Sequence, residues 1–414
     1  VKIAYLVSRY PAVSHTFILQ EVEALRAIGV EIGTFSIRKA QPNDILGPAA
    51  QREARQTRHL VPASIPSYLR AAIWACCTRP ILFLTTLWYA IGRYDISVRE
   101  RLMWFFYFSE AIQLAHWLVR ERFNHLHCHL GNNGSNTALL AARLARLPFS
   151  LTLHGMDMEQ PERFRLADKA AAADFIICIS EYGRGYVMRK TAPEHWSRLH
   201  VIHCGLDFSA FPPLPPPYTG ANRLLCVARL SPEKGHRVLL AALAMLHHEN
   251  IEFNCSMVGD GPLRAALENE VRSLGLESKV TFHGALSPAE ALALYPTHDI
   301  TVLASFIEGI PMVLMESLAH ARPVVATQVG GIVELVHPPD NGMLVPPGNP
   351  HELARALRHL LTHPDEARRM GRSGYDYVRA HFRTDIQAQR IKNLFTASAN
   401  ARRRFPLRLQ ADDE

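Results

Sequence analysis

Two carboxylates, Glu308 and Glu316, close off the segment EGIPMVLME, and five of the seven residues between them are Ile, Met, Val or Leu. A carboxylate in such company is costly to bury unless it is paired or hydrogen-bonded. Either both lie on the surface at the ends of a helix, or they hold something. Glu308 follows the apolar run DITVLAS and so falls just past a predicted strand. Pro311 is well placed as the first residue of the next helix, where its missing N–H costs nothing. The amides of Gly309, Ile310 and Met312 then surround a helix N-terminus, a ready site for phosphate. Glu316, more than a turn into that helix, could accept two hydrogen bonds from a diol such as ribose, and Glu308 could accept from the hydroxyls of a sugar. One segment could thus hold a diphosphate between two hydroxyl-bearing rings. On spacing alone, two solvated glutamates remain the competing account.

Two other strand ends carry compatible chemistry. ARLSPEKG sets Arg229 and Lys234 at the tip of an apolar run, where an arginine fork and a lysine point charge can neutralise a diphosphate. MVGDGP ends another run at Gly259 and offers backbone close to a ligand, without a catalytic acid.

Strand ends presuppose a sheet. KIAYLV, VEIGTFSI, HLHCHL, FSLTLH and DFIICIS read as strands in the first half, with helical stretches between them. RLLCVARL, FNCSMVG, KVTFHG, DITVLAS and PVVAT repeat the rhythm in the second. Such alternation means parallel sheets covered on both faces, hence an α/β chain with two Rossmann-like, doubly wound domains. The expected boundaries are residues 1–210 for the first domain, with a helical insert at about 64–122, and 221–380 for the second. Residues 211–220, FPPLPPPYTG, form a proline-rich linker, and 381–414 a final helix and loose tail. Ligands of doubly wound sheets sit beyond the carboxyl ends of the strands, so the expected active site is a central cleft faced by both domains.

Composition narrows the partners. The net charge of +7 lies wholly in residues 1–207, with 24 Lys/Arg against 17 Asp/Glu, while 208–414 balance at 21 against 21. An acidic partner therefore belongs to the first half: an anionic membrane or a phosphate-bearing substrate rather than nucleic acid, for which no recognition motif accompanies the charge. Seven cysteines without zinc-ligand spacing suit a reducing compartment. VKIAYLVSRYP is expected to be a strand and not a secretory segment. The longest apolar piece, ILFLTTLWYAIG, is short of the roughly 20 residues that span a bilayer. Trp74, Trp88, Trp104 and Trp117 share their region with Arg70, Arg79, Arg93, Arg99 and Arg101, a pattern that either rests in a membrane interface or covers the sheet.

Metal is not expected. His125, His127 and His129 alternate on one face of a strand and could bind zinc, but no fourth ligand is evident, and a cleft-lining strand end is the simpler account. Asp157 and Glu159 form a D-x-E that the fold reading leaves without a cation.

ARLSPEKG, VGDGP, VTFHGAL, SFIEGIPMVLMESLAHARPVVAT, GGIVELV and NGMLVPPGN resemble the nucleotide-sugar half of retaining glycosyltransferases of family 4, with the GT-B fold. SRYPAVSHTFILQEVEAL and HCHLGNNG…FSLTLHGMDM are similar to the branch that builds bacterial exopolysaccharide, capsule and colanic acid. The resemblance spans about residues 1–390. It implies that Glu308 contacts donor-sugar hydroxyls with the following amides on the diphosphate, that Glu316 binds ribose, and that Arg229 and Lys234 clamp the phosphates. It further implies that the backbone at Ala285 and Leu286 reads the base, and that His154 lies under the sugar from the opposite domain, assisting the oxocarbenium ion. Ser14, His15, Asn132 and Asp157 would face the acceptor. Many relatives have a Gly-Gly loop where this chain has Arg9-Tyr10-Pro11, and the exopolysaccharide branch usually has Glu in place of His15. Ala321 stands where a glycine is common.

The implied activity is metal-independent, retaining transfer of a hexose from a nucleoside diphosphate, UDP-hexose before GDP-mannose, to a polyprenyl-diphosphate-linked glycan in extracellular polysaccharide or lipopolysaccharide biosynthesis. It needs no cofactor, and its place would be cytoplasmic, peripheral at the inner face of the plasma membrane. The alternatives are a nucleotide-sugar 2-epimerase of similar fold and a catalytically silent sugar-nucleotide-binding subunit.

Overall fold

The computed structural model describes residues 1–12, 16–41, 45, 47–92, 97–154, 164–212, 215 and 217–404. They form two compact units. One comprises the described residues within 1–179, 183–202 and 387–404, the other those within 180–182 and 203–386.

The first unit opens β1 (Lys2–Arg9), α1 (Thr16–Ala27), β2 (Glu31–Arg38), α2 (Pro48–Gln56) and β3 (Arg58–Val61). The insert follows as α3 (Ile65–Thr78), α4 (Pro80–Ile91) and α5 (Val98–Arg120). A single residue, Arg79, separates α3 from Pro80 at the start of α4, and the two axes bend by 114°. α5 starts with a capping box, Ser97 and Glu100 each satisfying the other's backbone N–H. The chain returns to the sheet through β4 (His125–His129), α6 (Asn133–Ala145), β5 (Phe149–Leu153), α7 (Leu166–Ala172), β6 (Phe175–Cys178), α8 (Glu181–Lys190) and β7 (Leu199–Val201). The seven strands are all parallel, in the order β3-β2-β1-β4-β5-β6-β7.

The second unit holds β8 (Arg223–Val227), α9 (His236–His248), β9 (Asn254–Val258), α10 (Arg264–Ser273), β10 (Val280–Gly284), α11 (Pro288–Leu292) and β11 (Ile300–Leu303). It continues through α12 (Met312–Ala319), β12 (Val324–Thr327), α13 (Ile332–Leu335), β13 (Gly342–Val345), α14 (Pro350–Thr362) and α15 (Pro364–His381). Its six parallel strands run β10-β9-β8-β11-β12-β13. Both sheets are doubly wound. Their strand order reverses between β1 and β4 and between β8 and β11, where such sheets open a crevice for a ligand.

Burial follows the pattern of the runs. β4, β5, β6, β11 and β12 are buried along their whole length, as strands covered on both faces must be. The insert divides its aromatic residues. Trp104, Tyr107 and Phe108 of α5 are buried in the first unit's core, whereas Trp88, Phe105 and Phe106 are exposed. The last helix, α16 (Thr384–Arg404), leaves the second unit and packs Ala388, Ile391 and Phe395 beneath β1 and α1 of the first. Lys392 Nζ donates to the Ile28 carbonyl at 2.7 Å. The sequence had suggested only a terminal helix there, not its return.

Gly259, just past β9, has φ +133°, and a Cβ on it would lie 2.0 Å from the Ala228 carbonyl oxygen. Replacing it with alanine is expected to cost about 2 kcal/mol or more in unfolding free energy. Chemical denaturation checks this. A transition displaced by less than about 0.5 kcal/mol would contradict the packing described.

Candidate active site

β8 and β11 lie side by side, and the segments leaving their carboxyl ends meet. After β8 comes a 3-10 turn, Pro232–Lys234, then Gly235 with φ +64°, whose missing side chain leaves room for the Ala304 carbonyl. The Phe306 amide donates to the Glu233 carbonyl at 2.8 Å, tying the two segments together. Lys234 Nζ reaches Glu308 Oε1 at 2.6 Å, and Ser305 Oγ donates to the same oxygen at 2.7 Å. Both charged side chains are largely buried, with 19% of Lys234 and 9% of Glu308 exposed. The pair therefore answers the cost of burying Glu308. Glu308 Oε2 has no partner among the described residues, and Lys234 keeps two further N–H groups.

The helix after Glu308 begins one residue later than its proline suggested. Pro311 is the N-cap of α12, with ψ 121°, and Met312 is the first helical residue. A proline cap has no side chain to satisfy the first amides. Among the described residues, the N–H groups of Gly309, Ile310 and Met312 have no acceptor. These are the three amides that the sequence placed at the helix start. Gly330 and Gly331 hold this backbone in place. A Cβ on Gly330 would sit 1.9 Å from the Glu308 carbonyl oxygen, and one on Gly331 2.4 Å from that of Gly309.

Glu316 is held differently. Tyr295 Oη donates to its Oε2 at 2.8 Å, and burial pushes its carboxyl above the usual carboxylate range, offset in part by that hydroxyl. Its Oε1 has no partner among the described residues. A diol could supply the donors that favour the ionised form. Arg229 is exposed at the end of β8. Ala285 is exposed after β10, and Leu286 packs against Leu225, Val258 and Tyr295. Gly259 has a plainer explanation than closeness to a ligand, since its own unit's backbone fills the space beside it.

In the first unit, His154 stands one residue past β5, its Nε2 3.1 Å from His129 Nδ1 and its ring 4.5 Å from that of Phe17. Asn132 is the N-cap of α6. Its Oδ1 accepts from the Gly134 amide at 3.1 Å and from Ser8 Oγ at 2.5 Å, so this oxygen, expected to face the acceptor, is engaged in holding β1 to α6. Ser14, His15 and Asp157, with Glu159, lie outside the described residues. The alternating histidines do share a face, but His125 and His127 are core residues bonded to Ser150 and Thr152, and only His129 reaches His154. Among the described residues, Glu21, His127 and His129 have ligand atoms within 4.8 Å of one another. Each of the four ring nitrogens already has a protein partner, so an ion there would have to displace them. Sequence reasoning passed over Glu21, Ser305 and Tyr295; Tyr295 gave no local signal, while Ser305 lies within the quoted motif.

Two family models match this chain: Glycosyl transferases group 1 over residues 211–377 and Glycosyltransferase Family 4 over residues 48–210. WcaL of Escherichia coli K12, named as a colanic acid biosynthesis glycosyltransferase, is 26% identical over 378 residues, covering 86% of this chain and 89% of that one. The crystal structure of Anabaena HepE with UDP and glucose superposes with a TM-score of 0.72 at 19% identity, covering 96% of this chain and 99% of that one. Sucrose-phosphate synthase of Thermosynechococcus elongatus gives 0.71 at 22%, covering 97% and 100%. At such identities the likeness establishes the fold, two parallel sheets flanked by helices in the GT-B arrangement of strands. With matched domains running from residue 48 to 377, the chain belongs to the glycosyltransferases of family 4.

Proposed function

We propose that this glycosyltransferase moves a hexosyl group, with retention of configuration and without a metal ion, from a nucleoside diphosphate to a polyprenyl-diphosphate-linked glycan. The observation that carries the donor assignment is the Lys234–Glu308 pair beside three unpartnered amides at the start of α12. Sugar hydroxyls would donate to Glu308 Oε2, the diphosphate would lie on the amides and Lys234 with Arg229 at its rim, and ribose would meet Glu316. In the transfer, the bond from the anomeric carbon to the diphosphate oxygen breaks. The acceptor oxygen attacks the same face, and the departing diphosphate takes its proton. Lys234, Arg229 and the helix amides meet the charge that develops on the leaving group, the kind of stabilisation that contributes most to such reactions. HepE, solved with UDP and with UDP-glucose, supports a UDP-hexose donor. The name of WcaL supports an extracellular polysaccharide as the product.

Peripheral contact with the cytoplasmic face of a membrane is part of the same reading. No described helix is long and apolar enough to cross a bilayer alone. Yet Ile73, Ile81, Leu84, Trp88, Leu102 and Phe106 of the insert are all more than half exposed, with Arg70, Arg99 and Arg101 exposed on the same helices. Apolar side chains fringed by arginine suit an anionic interface.

Four outcomes are expected. NMR of the product shows the anomeric configuration of the donor; an inverted centre would refute the mechanism. Glu308→Ala and Lys234→Ala each lower turnover about 100-fold or more, and near-normal rates in both would refute the donor site. Incubation of donor alone gives no epimer. The protein co-sediments with phosphatidylglycerol vesicles more than with phosphatidylcholine vesicles, and Trp88→Asp with Phe106→Asp weakens this; equal binding by the double variant would exclude the insert as the contact.

A further inference from the structure

His154 is joined to a hydrogen-bonded chain that runs back into the first unit. Glu21 of α1 lies with its Oε1 2.9 Å from His129 Nε2, and the opposite nitrogen of that ring, Nδ1, lies 3.1 Å from His154 Nε2. Tyr5 of β1 donates its hydroxyl to the same Glu21 oxygen at 2.9 Å. His129 is completely buried, and Glu21 has 18% of its side chain exposed. The link depends on register: His129 pairs with Thr152 across β4 and β5, which brings its ring level with the residue two places on.

Proton bookkeeping gives the chain a direction. As a carboxylate, Glu21 only accepts, so His129 carries its hydrogen on Nε2. A neutral ring with Nε2–H has an acceptor at Nδ1, and two nitrogens 3.1 Å apart share one proton, which therefore belongs to His154 Nε2. Among the described residues, two further titratable groups border these rings, Tyr5 and His127. The Tyr5 phenol is pushed well above its ordinary range by burial and by Glu21. His127 is held well below the usual imidazole range by burial and by the neighbouring histidines, with both nitrogens bonded to Ser150 and Thr152.

We propose that Glu21 and His129 are positioning residues for His154: they fix its ring at the sheet edge, set it as the Nε2–H tautomer, and lend it the field of one carboxylate. This rests on the reading that His154 serves the sugar side of the transfer. A ring so held is stabilised when positive charge develops on it or beside it, as a carboxylate behind a catalytic histidine does elsewhere.

The tautomer is read first, in the resting protein without donor, from two-bond nitrogen–proton NMR of histidine-labelled protein, with His154→Asn identifying the signal. The expected pattern is Nε2–H for His154, becoming a mixture in His129→Leu; an Nδ1–H pattern in the parent overturns the proposal. Glu21→Gln keeps the accepting oxygen and removes the charge. It is expected to lower kcat about 10-fold with the donor KM nearly unchanged. The acid limb of its rate profile should move to lower pH, because a proton on the histidine chain loses its counter-charge and leaves more readily. Glu21→Asp, which retains the charge, returns the limb toward its original position. An unmoved limb in a folded Glu21→Gln protein overturns the proposal while transfer itself stands, whereas the tautomer result holds whatever reaction the enzyme performs.

Discussion

A lysine and a glutamate 2.6 Å apart set the terms for the second unit. Separately, each would be an expensive charge to enclose; together they fix where β8 and β11 end and what can be built there. The segment between Ala304 and Gly309 is gripped from several sides. The Ala304 carbonyl fits against Gly235, the Ser305 carbonyl accepts from Thr327 Oγ1 at 2.5 Å, and the Glu308 and Gly309 carbonyls fit against Gly330 and Gly331. Each glycine is explained by a carbonyl oxygen of the protein itself. The preorganised site therefore rests on close backbone packing around one ion pair, and the amides of α12 inherit their placement from it.

The first unit solves a similar problem with neutral groups. Its central strand β4 buries three histidines, of which His125 and His127 pair across the sheet with Ser150 and Thr152, while His129 meets Glu21 and His154. Phe175 and Phe395 close over these rings, the latter from the final helix. A polar ladder in a β-sheet core is stable only when each member is satisfied, which makes it unforgiving of displacement. The ladder adjoins His129 at the end of β4, whose Nδ1 lies 3.1 Å from Nε2 of His154 past β5. The return of α16 to this unit belongs to the same arrangement, since Phe395 covers the ladder from the side opposite the insert's core helices.

Much of this was legible in the sequence. Ten strands were marked by apolar runs, and both sheets followed from the alternation of those runs with helices. β3, β7 and β13 were not read. All three are edge strands of four residues or fewer, RHLV, LHV and GMLV, too short for periodicity to register. The Glu308 segment was read from its composition because a charge beside a predicted strand end is locally anomalous. Its partner's role was less so: Lys234 was expected on phosphate, and its contact with Glu308, 74 residues away, is a tertiary fact. Asn132 and Gly259 have structural roles that the sequence did not show, as a helix cap and as a clearance for the Ala228 carbonyl. Polar and glycine residues at strand ends also serve as caps and clearances, and spacing alone does not distinguish these from contacts with ligand.

The two carboxylates of EGIPMVLME end up in unlike electrostatic settings despite their common motif. Glu308 sits before α12 with a lysine against it, so its charge is balanced and one oxygen remains to orient a ligand hydroxyl. Glu316 sits inside α12 with only a tyrosine hydroxyl, and burial raises its carboxyl. A ligand that donates two hydrogen bonds stabilises the ionised form of Glu316, whereas a ligand that only accepts does not. The spacing of seven residues thus separates a carboxylate paired with lysine at the helix entrance from a buried one whose charge hydroxyl donors would favour. On the proposed reading, a diphosphate would lie close to the first, where lysine and amides would meet it, and the second would select a diol at the far end.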